Sequence, residues 1–255
     1  MPEHTTWFTL LLGYMSETLG ANAHAFGHSA IRHDAPSWRS FEPMAAALFV
    51  ALLVLGIAAR VKSRLSNPDD AVVPEDQLTL RTFMEAFLSY FYDLAKSVMD
   101  AERAKKYFPL IGASAMFVFF SNILALIPGF PVATSSLSVT LGCALVVFVC
   151  FNAYGLATNG AAYIAHLAGP AWYLWWLIFP IEVISLAVRP ITLAVRLMLN
   201  MAVDHLILGI FVSLVAVLVP IPIMLLGVLI ILIQTLVFTL LTCIYIGLAT
   251  EHEAH

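Results

Sequence analysis

Residues 172–219 read WYLWWLIFPIEVISLAVRPITLAVRLMLNMAVDHLILGIFVSLVAVLV, an apolar tract in which only Glu182, Arg189, Arg196 and Asp204 carry formal charge. A helix needs about 20 apolar residues to cross a hydrocarbon core of about 30 Å, so this tract exceeds one straight span and must tilt strongly or break. The tract that follows, from about Ile221 to Ala249, is again long enough to cross, and Val219-Pro220-Ile221-Pro222 reads as the turn between the two. Two such tracts in succession exclude a water-soluble fold. Composition agrees: 61% of the 255 residues are hydrophobic and 11% are charged, against roughly 25% charge in soluble globular domains.

Working outward, the remaining apolar runs complete an all-α polytopic membrane protein of about five transmembrane helices. Pro43 to about Ala59 is the first, closed by Arg60, Lys62 and Arg64. Phe108–Ile127 and Leu137 to about Ala157 form a transmembrane hairpin, ended by Pro128-Gly129 and by Asn159-Gly160. Residues 78–106 differ, because Leu78, Leu80, Phe83, Phe87, Phe91, Leu94 and Val98 recur at helical spacing with Arg81, Glu85, Asp93 and Lys96 between them. That pattern predicts one amphipathic membrane-surface helix, or else a soluble helix packed on a partner. Four parts result: an external segment 1–43, a first span with the amphipathic helix 44–106, the hairpin 107–158, and a long, strongly tilted helix pair 159–255. No internal repeat is visible, which argues against the inverted-repeat transporter folds.

Eight of the twelve basic residues, Arg60, Lys62, Arg64, Arg81, Lys96, Arg103, Lys105 and Lys106, fall between the first span and the hairpin. The positive-inside rule puts that region in the cytoplasm, with the N-terminus outside and the C-terminus cytoplasmic. The opening MPEHTT has no basic leader region and residues 1–43 hold no transit-peptide pattern, so the N-terminus is expected to be mature as written. Cys143, Cys150 and Cys243 lie inside apolar runs and read as small core residues. His24, His28 and His33 are spaced like metal ligands but lack a supporting cysteine or carboxylate cluster, and the tail Glu251–His255 reads as a solvated end. No metal, no cofactor and no nucleic acid is expected.

The chemistry concentrates in the tract quoted first. From Tyr107 to Ile181 there is no Asp, Glu, Lys or Arg, and His166 is expected in a loop. A charge near the bilayer centre costs several kcal/mol, so such groups face a bundle interior or water. At about 100° per residue, Glu182, Arg189 and Arg196 drift only about 20° per step, and Asn200 and Asp204 return to the same sector. One helix face therefore carries all five. At about 1.5 Å per residue Asp204 lies about 12 Å to one side of Arg196 and Glu182 about 21 Å to the other. Arginine cannot be deprotonated in a protein, so Arg196 attracts a carboxylate but relays no proton. Proton-capable groups thus flank a group that blocks direct relay. His205 titrates near neutral pH and suits the Asp204 side, although it points opposite to Arg196 on an ideal helix. The plainer alternative is that Arg189 and Arg196 pair with Glu182 and Asp204 to hold helices together.

The run Arg189-Pro190-Ile191-Thr192-Leu193-Ala194-Val195-Arg196-Leu197-Met198-Leu199-Asn200-Met201 resembles the signature helix of subunit a of the F-type ATP synthases, bacterial type. Tyr107-Phe108-Pro109-Leu110, Ser121-Asn122, Leu126-Ile127-Pro128-Gly129 and Gln234 extend the resemblance over nearly the whole chain. It implies a proton-translocating stator subunit with no catalysis of its own. Its implied partners are a rotor ring of small c-type subunits, peripheral-stalk b-type subunits, the F1 catalytic head and membrane lipid. Carried over by position, Arg196 faces the ring carboxylate, Gln234 lies near it, Asn200 lines the site and Glu182 marks the cytoplasmic exit, while Asp204 and His205 form the outer approach. The implied location is a bacterial plasma (inner) membrane, with thylakoid or mitochondrial inner membrane as alternatives.

The chain departs from that pattern in three places. Asp204-His205 replaces a Gly-Glu pair, Gly227 replaces an ionisable residue, and Ser136 and Ser138 stand where relatives commonly carry Asp and Asn. Moreover, with a turn at Pro220–Pro222, Arg196 and Gln234 stand at unequal distances from it, so their proximity is implied by the resemblance alone. Among functions of other classes, a haem-binding subunit needs intramembrane histidine pairs, which this chain lacks. A self-contained secondary transporter using Glu182, Arg196 and Asp204 has to work when purified alone, whereas a stator half-channel needs its ring.

Overall fold

The computed structural model describes residues 6, 14, 42–64, 79–127, 130–160, 163, 175–214 and 220–250. Residues 24, 28, 33, 166 and 172 and the tail 251–255, all singled out above, lie outside them. Among the described residues every regular element is a helix: α1 Glu42–Arg64, α2 Leu80–Val98, α3 Ala101–Ala125, α4 Leu137–Asn159, α5 Trp175–Leu214 and α6 Pro220–Thr250, with a 3-10 turn at Ala133–Ser135 before α4. All but α2 are long and apolar enough to cross a membrane. The 40 residues of α5 make a rod of about 60 Å. That is twice a hydrocarbon core, so the helix cannot cross upright.

α2 is the amphipathic helix, and Thr79 opens it by accepting a hydrogen bond from the Thr82 backbone N–H. It ends earlier than the pattern over residues 78–106 suggests. Met99 is extended (φ −133°, ψ 162°) and Asp100 starts a new helix, so residues 101–106 belong to α3. α2 then folds back on α3. Tyr92 meets Phe108, Leu88 meets Gly112, and Phe83 and Phe87 both meet Phe119. The antiparallel order of these contacts buries Met84, Phe91 and Ala95 and leaves Leu80 and Phe83 exposed. Arg81 is buried at the same surface and holds Glu85 at 2.7 Å.

The sequence hairpin α3–α4 opens in space. α6 packs against both helices, α4 lies mainly along α5, and α3 and α4 touch each other little. The core sits between α3, α4, α5 and α6, where Tyr107, Ile111, Phe151, Leu193, Leu197, Phe238 and Ile246 are almost wholly buried. A smaller cluster joins Phe119, Ala125, Met201 and Ile231. Cys243 is buried, Cys143 and Cys150 are half-buried, and all three are free thiols.

One close approach sets the packing of α4 on α6. A Cβ on Gly155 would stand 2.9 Å from the Ala249 carbonyl oxygen and 2.9 Å from the Tyr163 ring. Only glycine lets these backbones meet. Asn159 then donates to the Ala249 carbonyl at 3.3 Å, tying the two C-terminal ends together.

α5 ends at Leu214 and α6 starts at Pro220, which corrects the placement of the turn at residues 219–222. Pro220 and Pro222 are already in the first turn of α6, where a missing N–H breaks no helical bond. The connection therefore lies before the prolines, and Arg196 still stands farther from it along the chain than Gln234 does; it is Asn200, one turn beyond Arg196, that Gln234 meets.

Candidate functional site

α5 carries the polar groups and α6 supplies the surface against which they are ordered. Leu193, Ala194 and Leu197 are 0–2% exposed and anchor one side of α5 in the bundle. Pro190 lies within the helix without ending it. Around the helix from that anchor, Arg189, Asn200 and Asp204 are half-buried, as is Glu182, while Arg196 is exposed.

The register between the two helices is antiparallel. Asn200 Nδ2 donates to Gln234 Oε1 at 2.6 Å, and the Arg189 guanidinium carbon lies 5.5 Å from the Tyr245 ring centre. The residue numbers sum to 434 in both pairs, so Arg196 falls at the level of Phe238 between them. Gln234 is 2% exposed, and its Nε2 finds no acceptor among the described residues. Ser121 Oγ and Asn122 Nδ2 on α3 are likewise buried without partners, although Asn122 Oδ1 accepts from the Thr134 hydroxyl at 2.9 Å.

Beyond Asn200, Asp204 and His205 both border a cavity of about 30 Å³, closed by Ala125, Leu126, Met201, Leu208, Ile223, Met224 and Gly227. That volume admits roughly one or two water molecules. Gly227 is open on this side, with Leu126 no nearer than 4.0 Å to a Cβ built there. The two side chains that ideal-helix geometry sets apart thus share one opening, because α3 and α6 enclose that end of α5.

At the other end, Glu182 is half-buried, and Tyr163 lies within the electrostatic reach of both Glu182 and Arg189. Burial pushes the Tyr163 phenol above its ordinary value, Arg189 pulls it down, and Glu182 raises it. The phenol donates to Asn152 Oδ1 at 2.9 Å. Met99, between α2 and α3, faces Gly247 of α6, its Cβ 4.0 Å from where a Cβ on that glycine would stand. The lysines and arginines around the α2–α3 turn therefore lie at the Glu182 end of the bundle. Glu182 and Asp204 are 22 residues apart on one helix, about 33 Å, the thickness of a bilayer core.

The charged groups are not spent on one another. Among the described residues neither Arg189 nor Arg196 forms an ion pair with Glu182 or Asp204, and the ion pairs that do form are Arg81–Glu85, Asp93–Lys96 and Asp100–Arg103 on α2 and α3. Arg196 is exposed on α5, on the same side as the exposed Leu199 and Val203. Among the described residues its guanidinium has no ion-pair partner. Its desolvation is costly unless an anion or water comes to it.

Of the six site residues read from the sequence, the fold joins Asn200 to Gln234 and Asp204 to His205, sets Arg196 one turn from the first pair, and leaves Glu182 at the far end. Tyr245 and Tyr163 were missed. Tyr245 follows Gln234 by 11 residues, about 20° off the same face, which is a readable signal. Tyr163 sits in a connecting segment and gave none.

Comparison with known proteins bears on this geometry. Residues 38–247 match the family described as ATP synthase A chain. The chain is 54% identical over 255 residues to ATP synthase subunit a of Sorangium cellulosum, covering 100% of both chains. It is 43% identical to ATP synthase subunit a 1 of Syntrophotalea carbinolica, over 82% of this chain and 85% of the relative. Against ATP synthase subunit a of Bdellovibrio bacteriovorus it is 36% identical, over 78% and 87%.

Proposed function

The chain belongs to the ATP synthase A chain family, and from that premise we propose that it is the proton-translocating stator subunit of a rotary ATP synthase, with two offset half-channels meeting at Arg196. The observation that carries this reading is the exposed guanidinium of Arg196, without an ion-pair partner among the described residues and flanked along α5 by proton-capable groups about a bilayer apart.

On this reading the apolar face of α5 and α6 meets a ring of small c-type subunits, each bearing one membrane-buried carboxylate. A proton arrives from outside through the cavity at Asp204 and His205 and neutralises a ring carboxylate. Rotation carries that group round the ring, and on return it loses its proton toward Glu182 and the cytoplasm. Arg196 favours the ionised form of each arriving carboxylate by direct attraction. Because it never gives up its own proton, it also blocks a straight path between the half-channels. Asn200 and Gln234 hold this level of α5 and α6 together. Each charge crossing 100 mV releases about 2.3 kcal/mol for rotation. The basic residues at the Glu182 end support a cytoplasmic position for that end. ATP chemistry then belongs to the F1 head, joined through b-type stalk subunits in a bacterial inner membrane.

The test is ATP-driven proton pumping in inverted vesicles holding the whole complex. Arg196→Ala is expected to abolish pumping while the complex remains assembled. Pumping at the wild-type rate would overturn the mechanism and return Arg196 to a structural role.

A further inference from the structure

Arg189 is the one charge on the α5 face with no task in the scheme above. It is half-buried, it has no carboxylate partner among the described residues, and it lies seven residues from both Glu182 and Arg196. Its guanidinium rests 5.5 Å from the centre of the Tyr245 ring. That ring is not a loose cover. Its centre stands 5.9 Å from that of Phe151, itself 1% exposed, and four residues further on Ala249 is pinned against Gly155 and Asn159 of α4. The place of Tyr245 is therefore fixed by the α4–α6 contact, independently of Arg189. An aromatic face attracts a guanidinium through its quadrupole, more strongly where water is excluded.

Building on the stator reading, we propose that Tyr245 is a positioning residue for the inner half-channel: its ring holds Arg189 as a second fixed cation between Arg196 and Glu182. The charges facing that stretch are then Arg196 behind, Arg189 in the middle and Glu182 ahead, with the Tyr163 phenol within the electrostatic reach of the last two. A proton that has passed Arg189 is attracted by the carboxylate and repelled from behind by both cations, which opposes its return to the ring. A guanidinium free to swing away weakens that bias, and protons return to the ring without completing a turn.

The experiment measures protons pumped per ATP hydrolysed in inverted vesicles with the whole complex, normalised to assembled subunit. Tyr245→Phe keeps the ring face and is expected to match wild type. Tyr245→Leu and the more adaptable Tyr245→Met are expected to lower the ratio about fivefold, the population change that one partly desolvated cation–π contact supports. Arg189→Gln should lower it as much, and adding Tyr245→Leu to it should lower it no further. The proposal is overturned if Leu and Met both match wild type, if Phe falls as far as Leu, if Arg189→Gln has no effect, or if the Leu loss repeats in the Arg189→Gln background. Arg196→Ala in the same vesicles separates the two ideas. Wild-type pumping by that variant removes the stator reading itself, whereas its silence beside normal Tyr245 variants removes the positioning role alone.

Discussion

The Asn200–Gln234 hydrogen bond, at 2.6 Å, is the direct link between the two long helices nearest Arg196. Gln234→Leu leaves the Asn200 amide without its acceptor, at a cost of about 1–3 kcal/mol. Asn200→Leu with Gln234→Leu should cost less than the sum of the single changes, because the second removes a group already stranded. Thermal denaturation of the purified complex measures both. At the other end, the Tyr163 phenol offers a spectroscopic probe. It titrates above its ordinary value, so Arg189→Gln should raise it further by removing the cation that lowers it, and Glu182→Gln should bring it down. An ultraviolet titration of difference spectra against Tyr163→Phe reads these shifts, and shifts of the opposite sign would contradict the arrangement. Arg196, Asn200 and Asp204 were legible as a group because polar side chains are rare in an apolar tract and helix period alone brings them to one face. Tyr163 was not, since a residue in a connecting segment reaches the site only through the packing of α4.

Between elements, the decisive contacts involve small residues. Gly155→Ala places a methyl group 2.9 Å from the Ala249 carbonyl, and that neighbour is backbone and cannot rotate away. Such overpacking costs about 1–3 kcal/mol, so less assembled complex and a lower denaturation temperature are expected. Gly142→Ala, with nothing within 4 Å, is the control expected to behave as wild type. Helix existence was read correctly from hydrophobic length, and helix ends less well. Residues 101–106 look like more amphipathic helix by composition, yet the extended backbone at Met99 gives them to α3. Pro220 and Pro222 look like a turn, although prolines suit the first turn of a helix equally well. That ambiguity put the connection a few residues too late, while the pairing of Gln234 with Asn200 rather than Arg196 is set by the helix packing.

For the whole molecule, the pattern of exposure points beyond the chain. α1 and α5 are the least buried spans, and their outward Leu48, Leu52, Leu55, Ile184, Val203 and Leu206 suit lipid or apolar partner helices. A self-contained transporter and a stator subunit predict different behaviour here. The purified chain alone in vesicles is expected to conduct no protons above background, and conduction should appear only when the ring is present. Proton flux through the chain by itself would favour the transporter using Glu182, Arg196 and Asp204.

By itself the sequence determined the membrane class, the number of spans and the single polar face of α5, because hydrophobic length and the 100° helical step are local properties that need no neighbour. The tertiary structure decided what those side chains meet: that the arginines of α5 have no ion-pair partner among the described residues, that Asp204 and His205 open onto one cavity, and that Tyr245 lies under Arg189. Those outcomes depend on where α5 stops, on the backbone approach at Gly155, and on α6 packing against both α3 and α4. Each is a contact between residues far apart in the chain, which no local period encodes.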